Sequence, residues 1–397
     1  MTATLSSSAA IREHNLAAVL AALRESRPTS RSELAARTRL SKPTVGAALR
    51  TFRSSGLVRE YGRTTGHRGP TAALYDLVSD AVLVLGVDIG ARHVRWLLAD
   101  LDEHPVEEAT IALDRPRLED VLDAIRAIAT TLAAHSRRIE LVVVGSPGIV
   151  DPASGRIGAA PNIAGWEGIA AEAVLAEVLG LPVRIENDVN LAALGEQAGG
   201  AGREVESFAY LNVGSGLGAG IVLNGHLHRG ARGAAGEVGF LPVGDDPFAA
   251  AEGGQAGAME RRLSSGGILD EAERLAPTTS TALAPPFDVR ALFDAAAVGD
   301  ELGRAVVKHA VREVAVCVAG VMSVVDLELV LLGGGIGASE GLLLADVRSA
   351  LAQLIPAPPR IERATLGERA VLTGAIAVAL AEARVTMIRR FVAGPGS

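Results

Sequence analysis

Asn187 and Asp188 form a polar pair where a predicted strand ends and a predicted helix begins. An amide and a carboxylate at such a junction can contact a ligand. The same residue types also cap helices, because their side chains accept hydrogen bonds from free backbone N–H groups. The residues taken alone favour the capping interpretation.

Two histidines and the single cysteine could also carry chemistry. His226 and His228 are two residues apart on a predicted strand and could bind a metal, but alternate strand residues beside a turn are usually solvated. Cys317 lies in an apolar predicted helix and is expected to be a small core residue. We therefore predict no metal site.

The elements that must position these residues alternate between strand and helix from about residue 82 onward. We predict strands at 82–90, 93–100, 139–145, 182–186, 208–213, 221–223 and 327–332, and helices at 118–135, 169–179, from 187, and at 310–325. Two hairpins in separate halves carry glycine, one at Asp88 to Gly90 and one at Gly214–Gly220. This pattern predicts an α/β fold with two lobes around a cleft. The segment 264–288, rich in Gly, Thr, Ser and Pro, is expected to be a mobile loop near it.

The sequence of the first 80 residues predicts a separate unit of three helices and two strands. The helices lie at 11–24, at 31–37 and from 42, and the strands lie at 57–58 and 73–77. Ser30 and Glu33 form a capping box, Ser41 caps the third helix, and Gly56 ends it. A basic loop joins the two strands. This order is typical of a winged helix-turn-helix.

The third helix would enter the major groove of double-stranded DNA, with its first turn facing bases or phosphates. The residues expected to contact DNA from this helix are Ser41, Lys42, Thr44, Arg50 and Arg53. Those expected to contact it from the wing are Arg63, His67 and Arg68. A small helical interaction module with ordinary surface arginines is the alternative.

Charge is distributed unevenly along the chain. Residues 1–80 contain 12 Lys or Arg and 6 Asp or Glu, a net charge of +6, whereas the remainder carries −14. A basic head on an acidic body indicates a polyanionic partner for the head alone. One cysteine excludes an intramolecular disulfide. With no signal-peptide pattern and only short apolar runs, we expect a soluble cytoplasmic protein with no membrane partner.

The sequence resembles the ROK family, named for repressors, open reading frames and kinases. The resemblance extends from Arg12-Glu-His-Asn15 to Leu372-Thr-Gly-Ala375 and is most specific at 186–195 and 211–243. It implies a winged helix-turn-helix over residues 1–80. Over residues 81–397 it implies a two-lobed sugar-kinase-like domain of the actin-like ATPase (ribonuclease H-like) fold.

The resemblance also implies roles for individual side chains. Asp188 matches the family's general base, which in a kinase accepts the proton of the attacking hydroxyl, and Asn187 would hold another hydroxyl. Asn162, Glu237 and Glu260 match further sugar-binding positions. These residues would line an effector site.

One departure from the family concerns the phosphate-binding hairpin. Arg92 replaces the threonine of the pattern Asp-x-Gly-x-Thr, and this large cation would crowd a nucleotide phosphate. Gly214–Gly220 and Gly333–Gly337 match the second phosphate loop and the adenosine region, but the fold itself also requires glycine there. ATP use is therefore in doubt.

A second departure removes the family's zinc site. The positions of its histidine and three cysteine ligands are Phe240, Ala251, Gly253 and Ala258, so no structural zinc is expected. The histidine is also a sugar contact in the family. Phe240 offers an apolar face in its place, which could stack on a sugar ring or on a less polar ligand.

These observations predict a transcriptional regulator, most simply a repressor. Its head would bind operator DNA, and its body would sense a sugar or sugar-like effector without catalysis or a cofactor. Palindromic operators imply a homodimer or tetramer. One alternative is an active ATP-dependent sugar kinase with a DNA-binding head, which Asp188 favours and which Arg92 and the missing zinc ligands oppose. The other is a regulator whose cleft binds nothing.

Overall fold

The structure is a computed structural model that describes residues 7–63, 72–114, 117–160, 162–244, 246–248, 256–339, 341 and 344–393. The chain forms a small helical head followed by two α/β lobes. This arrangement confirms the predicted fold class.

The head contains three helices and a small antiparallel sheet of order β1-β3-β2. Its elements are α1 (Ser7–Glu25), β1 (Thr29–Ser30), α2 (Arg31–Thr38), α3 (Lys42–Ser54), β2 (Val58–Arg63) and β3 (Ala73–Leu77). The predicted capping box is present, because the Ser30 hydroxyl accepts from the Glu33 N–H and the Glu33 carboxylate accepts from the Ser30 N–H. Ser41 caps α3 by accepting from the Thr44 N–H at 3.3 Å.

The first lobe is built on a five-stranded sheet of order β10-β7-β4-β5-β6. Its strands are β4 (Leu83–Ile89), β5 (His93–Asp100), β6 (Pro105–Ala112), β7 (Ile139–Ser146), the ribbon β8 (Ile149–Val150) and β9 (Ile157–Gly158), and β10 (Val183–Asn187). Its helices are α4 (Leu118–Thr131), α5 (Ala171–Leu179) and α6 (Asp188–Gly199). The sequence did not predict β6, because this edge strand is mostly exposed and lacks apolar alternation.

The second lobe repeats this plan with a sheet of order β13-β12-β11-β14-β15. Its strands are β11 (Phe208–Val213), β12 (Leu217–Leu223), β13 (His226–Leu227), β14 (Leu329–Gly333) and β15 (Arg360–Arg363). Its helices are α7 (Glu260–Leu263), α8 (Ser265–Leu275), α9 (Val289–Ala297), α10 (Glu301–Met322), α11 (Gly334–Gly337) and α12 (Leu344–Leu351). The last helix of the chain, α13 (Ala370–Ala393), packs against α6 and the first sheet.

The expectation of a loop over 264–288 is wrong for its first part. Ser264 caps α8 by accepting from the Gly267 N–H at 3.4 Å, and Ile268 and Ala272 are buried in the core of the second lobe. Gly267 is a packing glycine here, because a Cβ would lie 2.2 Å from the Arg261 carbonyl oxygen. Glycine in this segment therefore permits α8 to pack closely against the end of α7 and does not break the helix.

The segment Gly367–Ala393, which includes α13, is long and apolar enough to cross a membrane by length and composition. Half of its most apolar stretch is nevertheless buried within the fold. Gly86 of β4 leaves room for this packing, because a Cβ there would lie 3.2 Å from the Ala375 side chain. We therefore interpret α13 as a core helix.

Candidate functional site

Three parallel strands of the first lobe bring polar residues to one edge of the sheet. Asp88 pairs with Gly145, and Asn187 pairs with Ser146, so β4, β7 and β10 end side by side. Helix α6 begins at Asp188, directly after β10. Ligands of open α/β sheets bind at the carboxyl ends of such strands.

Asn187 is the N-cap of α6, as the residues alone suggested. Its Oδ1 accepts from the Asn190 N–H at 2.9 Å, and its Nδ2 donates to the Gly148 carbonyl at 3.0 Å. These bonds fix the side chain between α6 and the turn after β7. They leave one amide hydrogen and one oxygen lone pair for a ligand.

Asp188 lies beside two further acids. Burial, the charge of Asp88 and, more weakly, that of Glu237 raise the pKa of Asp188 to about 7. The Val189 N–H, which donates to the Asp188 carboxylate at 2.9 Å, opposes this rise. A carboxyl group that titrates near neutral pH can exchange a proton with a ligand hydroxyl.

Glu237 and Glu260 come from the second lobe. Gly236 has φ +88°, and a Cβ on it would lie 1.8 Å from the Ala219 carbonyl oxygen, so glycine is required where the chain passes β12. Burial and the charge of Glu260 raise the pKa of Glu237. Burial also raises the pKa of Glu260, although its carboxylate accepts from the Leu217 backbone N–H. The electrostatic contacts thus link acids of both lobes.

Asn162 lies in an exposed loop that approaches the same edge from the first lobe. The loop is anchored by Trp166, which is fully buried and whose Nε1 donates to the Ser146 hydroxyl at 2.8 Å. Ser146 is the strand neighbour of Asn187. The structure therefore places the Asn162 loop next to the junction, although no contact between its amide and the four acids is present in the described part of the chain.

Two basic residues, Arg92 and His93, lie at the turn between β4 and β5. Arg92 is exposed at its tip. The His93 ring lies over Gly90, where a Cβ would be 2.7 Å from the ring, and its Nε2 is 3.5 Å from the Asp88 carboxylate. The imidazole of His93 therefore lies beside this turn, a placement that no sequence pattern indicated. Its position depends on the hairpin register, which the sequence does not reveal.

Phe240 has 51% of its surface exposed and follows Glu237 in the short 3-10 turn Val238–Phe240. This exposure leaves its ring available for stacking. Neither Phe240 nor Ala258 carries an atom that binds zinc, so these described positions do not fit the family's metal.

Asp100, Asp102 and His104 lie close enough together to share a cation. However, Asp102 already pairs with Arg27 of the head, and one Asp100 oxygen accepts the backbone N–H groups of Asp102 and His104. The group thus joins the head to the body. His226 and His228 are exposed, and Cys317 is buried, as predicted.

We predict that Asp188→Asn stabilises the protein at alkaline pH. The folded protein keeps the Asp188 proton up to about pH 7, whereas the unfolded chain releases it near pH 3.8, so ionisation should lower stability as pH rises between these values. The variant removes this cost and should gain about 1–2 kcal/mol at pH 8 and less at pH 5. Urea denaturation at both pH values measures this. The control is Asp123→Asn on the surface of α4, and an equal gain in both variants would contradict the assignment.

The surface of the head that we expect to face DNA is described in part. Ser41, Lys42 and Arg50 are exposed on α3, and the Ser41 and Thr44 hydroxyls lie 2.8 Å apart. Arg63 is exposed at the end of β2. The expected wing contacts His67 and Arg68 lie outside the described residues.

The structure adds one cation to this surface and weakens the case for another. Arg31 of α2 lies beside Arg50, because a Cβ on Gly46 would be 3.4 Å from the Arg31 guanidinium and 3.6 Å from that of Arg50. Arg53 instead pairs with Glu60 at 3.8 Å. The sequence could not reveal the pair across Gly46, since it arises from packing of α2 on α3.

A sequence model of the ROK family matches residues 84–382. The chain belongs to the ROK family. It is similar to a protein named xylose repressor from Caldicellulosiruptor bescii, with 27% identity over 94% of this chain and 96% of the relative. The resemblance predicted from the sequence is therefore confirmed.

Two solved ROK structures have the same fold. The first, a ROK family transcriptional regulator described as a homologue of the E. coli MLC protein, aligns over 97% of this chain and 100% of its own, with a TM-score of 0.79 and 23% identity. A ROK hexokinase from Thermus thermophilus aligns over 76% of this chain and 99% of its own, with a TM-score of 0.64 and 31% identity. The regulator thus matches nearly the whole chain, and the hexokinase about three quarters of it.

Proposed function

We propose that this ROK protein is a transcriptional repressor that binds operator DNA through residues 1–80 and a sugar through residues 81–397. The observation that carries the proposal is the winged helix with a cationic α3, joined to a body in which acids from both lobes lie close together. The full-length similarity to a protein named xylose repressor supports it and makes D-xylose the first effector to test.

The effector site consists of Asn162, Asn187, Asp188, Glu237, Phe240 and Glu260. Carboxylates and amides on both walls of the cleft suit the vicinal hydroxyls of a sugar, and the Phe240 ring suits its apolar face. Bridging both walls would draw the lobes together. Closure of this kind changes a distant site only if the two conformations differ in DNA affinity.

We propose that the body is not catalytic and that the protein works in the cytoplasm as a homodimer or tetramer. The His93 ring over Gly90 supports the first point, because it crowds the turn that would receive a nucleotide phosphate, and Arg92 is exposed at the tip of the same turn. A two-fold arrangement would place two heads about 34–36 Å apart, one turn of DNA.

Fluorescence anisotropy with a labelled fragment of the gene's own upstream region tests the repressor function. We expect specific, salt-sensitive binding that D-xylose, or D-glucose if xylose fails, weakens by at least about fivefold. Equal affinity for a scrambled fragment at all salt concentrations would reject DNA recognition.

Asp188 favours a second candidate function, an active sugar kinase. Its position at the cleft and its pKa near 7 suit a general base. A coupled assay of ATP consumption over a panel of sugars separates the two functions. Sugar-dependent turnover that Asp188→Asn abolishes would establish the kinase.

A further inference from the structure

Helix α6 connects the proposed effector site to the interior of the molecule. It begins at Asp188 and lies against the sheet of the second lobe, where Gly220 permits contact because a Cβ would be 2.6 Å from the Ala193 side chain. Its other side contacts α13. Any movement of its first turn therefore acts on both neighbours.

The contact between α6 and α13 is made by backbone. A Cβ on Gly195 would lie 2.1 Å from the Ala370 carbonyl oxygen, and a Cβ on Gly374 would lie 1.9 Å from the Leu191 carbonyl oxygen. Two glycines on facing helices thus bring the backbones together without intervening side chains. Close packing of this kind transmits displacement, because it leaves no space that could absorb it.

The far end of α13 packs into the head. Phe391, about 25 Å along the helix from Gly374, packs edge-to-face on Phe52 with ring centroids 5.9 Å apart. Phe52 is fully buried and belongs to α3. The buried residues of α13 that belong to the same core cluster as the head are Leu372, Ala375, Ile376, Ala379, Leu380, Ala383, Met387 and Ile388.

We propose that α6 and α13 form the mechanical link through which occupancy of the cleft repositions α3, with the Gly195–Gly374 crossing and Phe391 as positioning elements. This inference rests on the proposed function, since it assigns the regulation of that same site. None of these residues contacts effector or DNA in the proposal. The link acts because the pair of helices reaches from the proposed effector site to the head. At one end α6 begins at Asp188, and at the other end Phe391 of α13 contacts Phe52 of α3.

Hydrogen exchange tests the link without DNA or sugar. Leu191→Ala should loosen the packing of α6 against α13, since Leu191 is fully buried and its carbonyl oxygen faces Gly374. We expect faster amide exchange in the last turns of α13 and in α1 and α3. Leu351→Ala is the matched control, because it makes the same change at a fully buried position of α12 in the second lobe. Acceleration in the head by both variants, or by neither, would overturn the proposal.

A second arm measures regulation in the full-length protein. In Phe391→Ala, the change in DNA affinity caused by D-xylose should fall from at least about fivefold to less than about twofold, while the sugar affinity is retained. Phe391→Tyr should restore it, and Val385→Ala, at an exposed position of α13, should leave it intact. A full response in Phe391→Ala contradicts the link. If the wild type binds neither DNA nor sugar, the proposed function fails, and the exchange experiment still decides the link.

Discussion

Replacing Lys42 and Arg50 together with alanine is expected to weaken binding to the operator fragment about 10- to 100-fold. Both side chains are exposed on α3 and have no acidic partner within 4.0 Å among the described residues. Each cation that meets a phosphate releases counterions, so the slope of log affinity against log salt should shrink by about 1 per residue. Fluorescence anisotropy titrations between about 50 and 200 mM salt measure both the affinity and the salt slope, because phosphate contacts make affinity change strongly over this range.

The matched control is the double variant Arg126→Ala and Arg274→Ala. It removes two exposed cations from the body, each engaged in a surface ion pair, and leaves the head unchanged. We expect its DNA affinity and salt slope to stay close to the wild type. If both double variants lose affinity equally, the effect reflects net charge and the α3 surface does not contact DNA.

Glu196→Ala should destabilise the protein by about 3–5 kcal/mol, because it leaves several buried donors unsatisfied. Glu196 is fully buried in α6. Its carboxylate accepts the backbone N–H groups of Ala201, Thr365 and Leu366 at 2.8–2.9 Å and the Thr365 hydroxyl at 3.1 Å. Calorimetric or urea unfolding of the full-length protein measures the loss.

Glu177→Ala is the control for this substitution, since Glu177 is exposed on α5. We expect its stability to change by no more than about 0.5 kcal/mol. A Glu196 variant as stable as the Glu177 variant would show that water replaces the carboxylate in its network. The network also ties the end of α6 to the chain that enters α13, the two helices of the proposed link.

Features encoded by local patterns were predictable from the sequence. The caps at Ser30 and Ser41 and the alternating strands of both lobes each depend on neighbouring residues. The capping role of Asn187 was also predictable for this reason. The ligand roles of Asp188, Glu237 and Glu260 came from the family resemblance, and they remain proposals.

Features that depend on tertiary contact were not predictable. Helix α8 contains the glycine pair Gly266-Gly267, from which the sequence predicted a loop. The segment is helical, and Gly267 packs against the Arg261 backbone. The His93 ring over Gly90 and the Arg31–Arg50 pair each join residues through hairpin register or helix packing. A single sequence has no pattern that reports such contacts.

The contact between the buried Phe52 and the partly buried Phe391 has a consequence for protein engineering. A head excised near residue 80 would expose apolar surface that α13 now covers, so such a fragment should associate or lose its fold in isolation. Exchanging heads between related regulators would require the last turns of the chain to be transplanted with them. Residues 1–80 and the last turns of α13 must therefore be exchanged together in such a design.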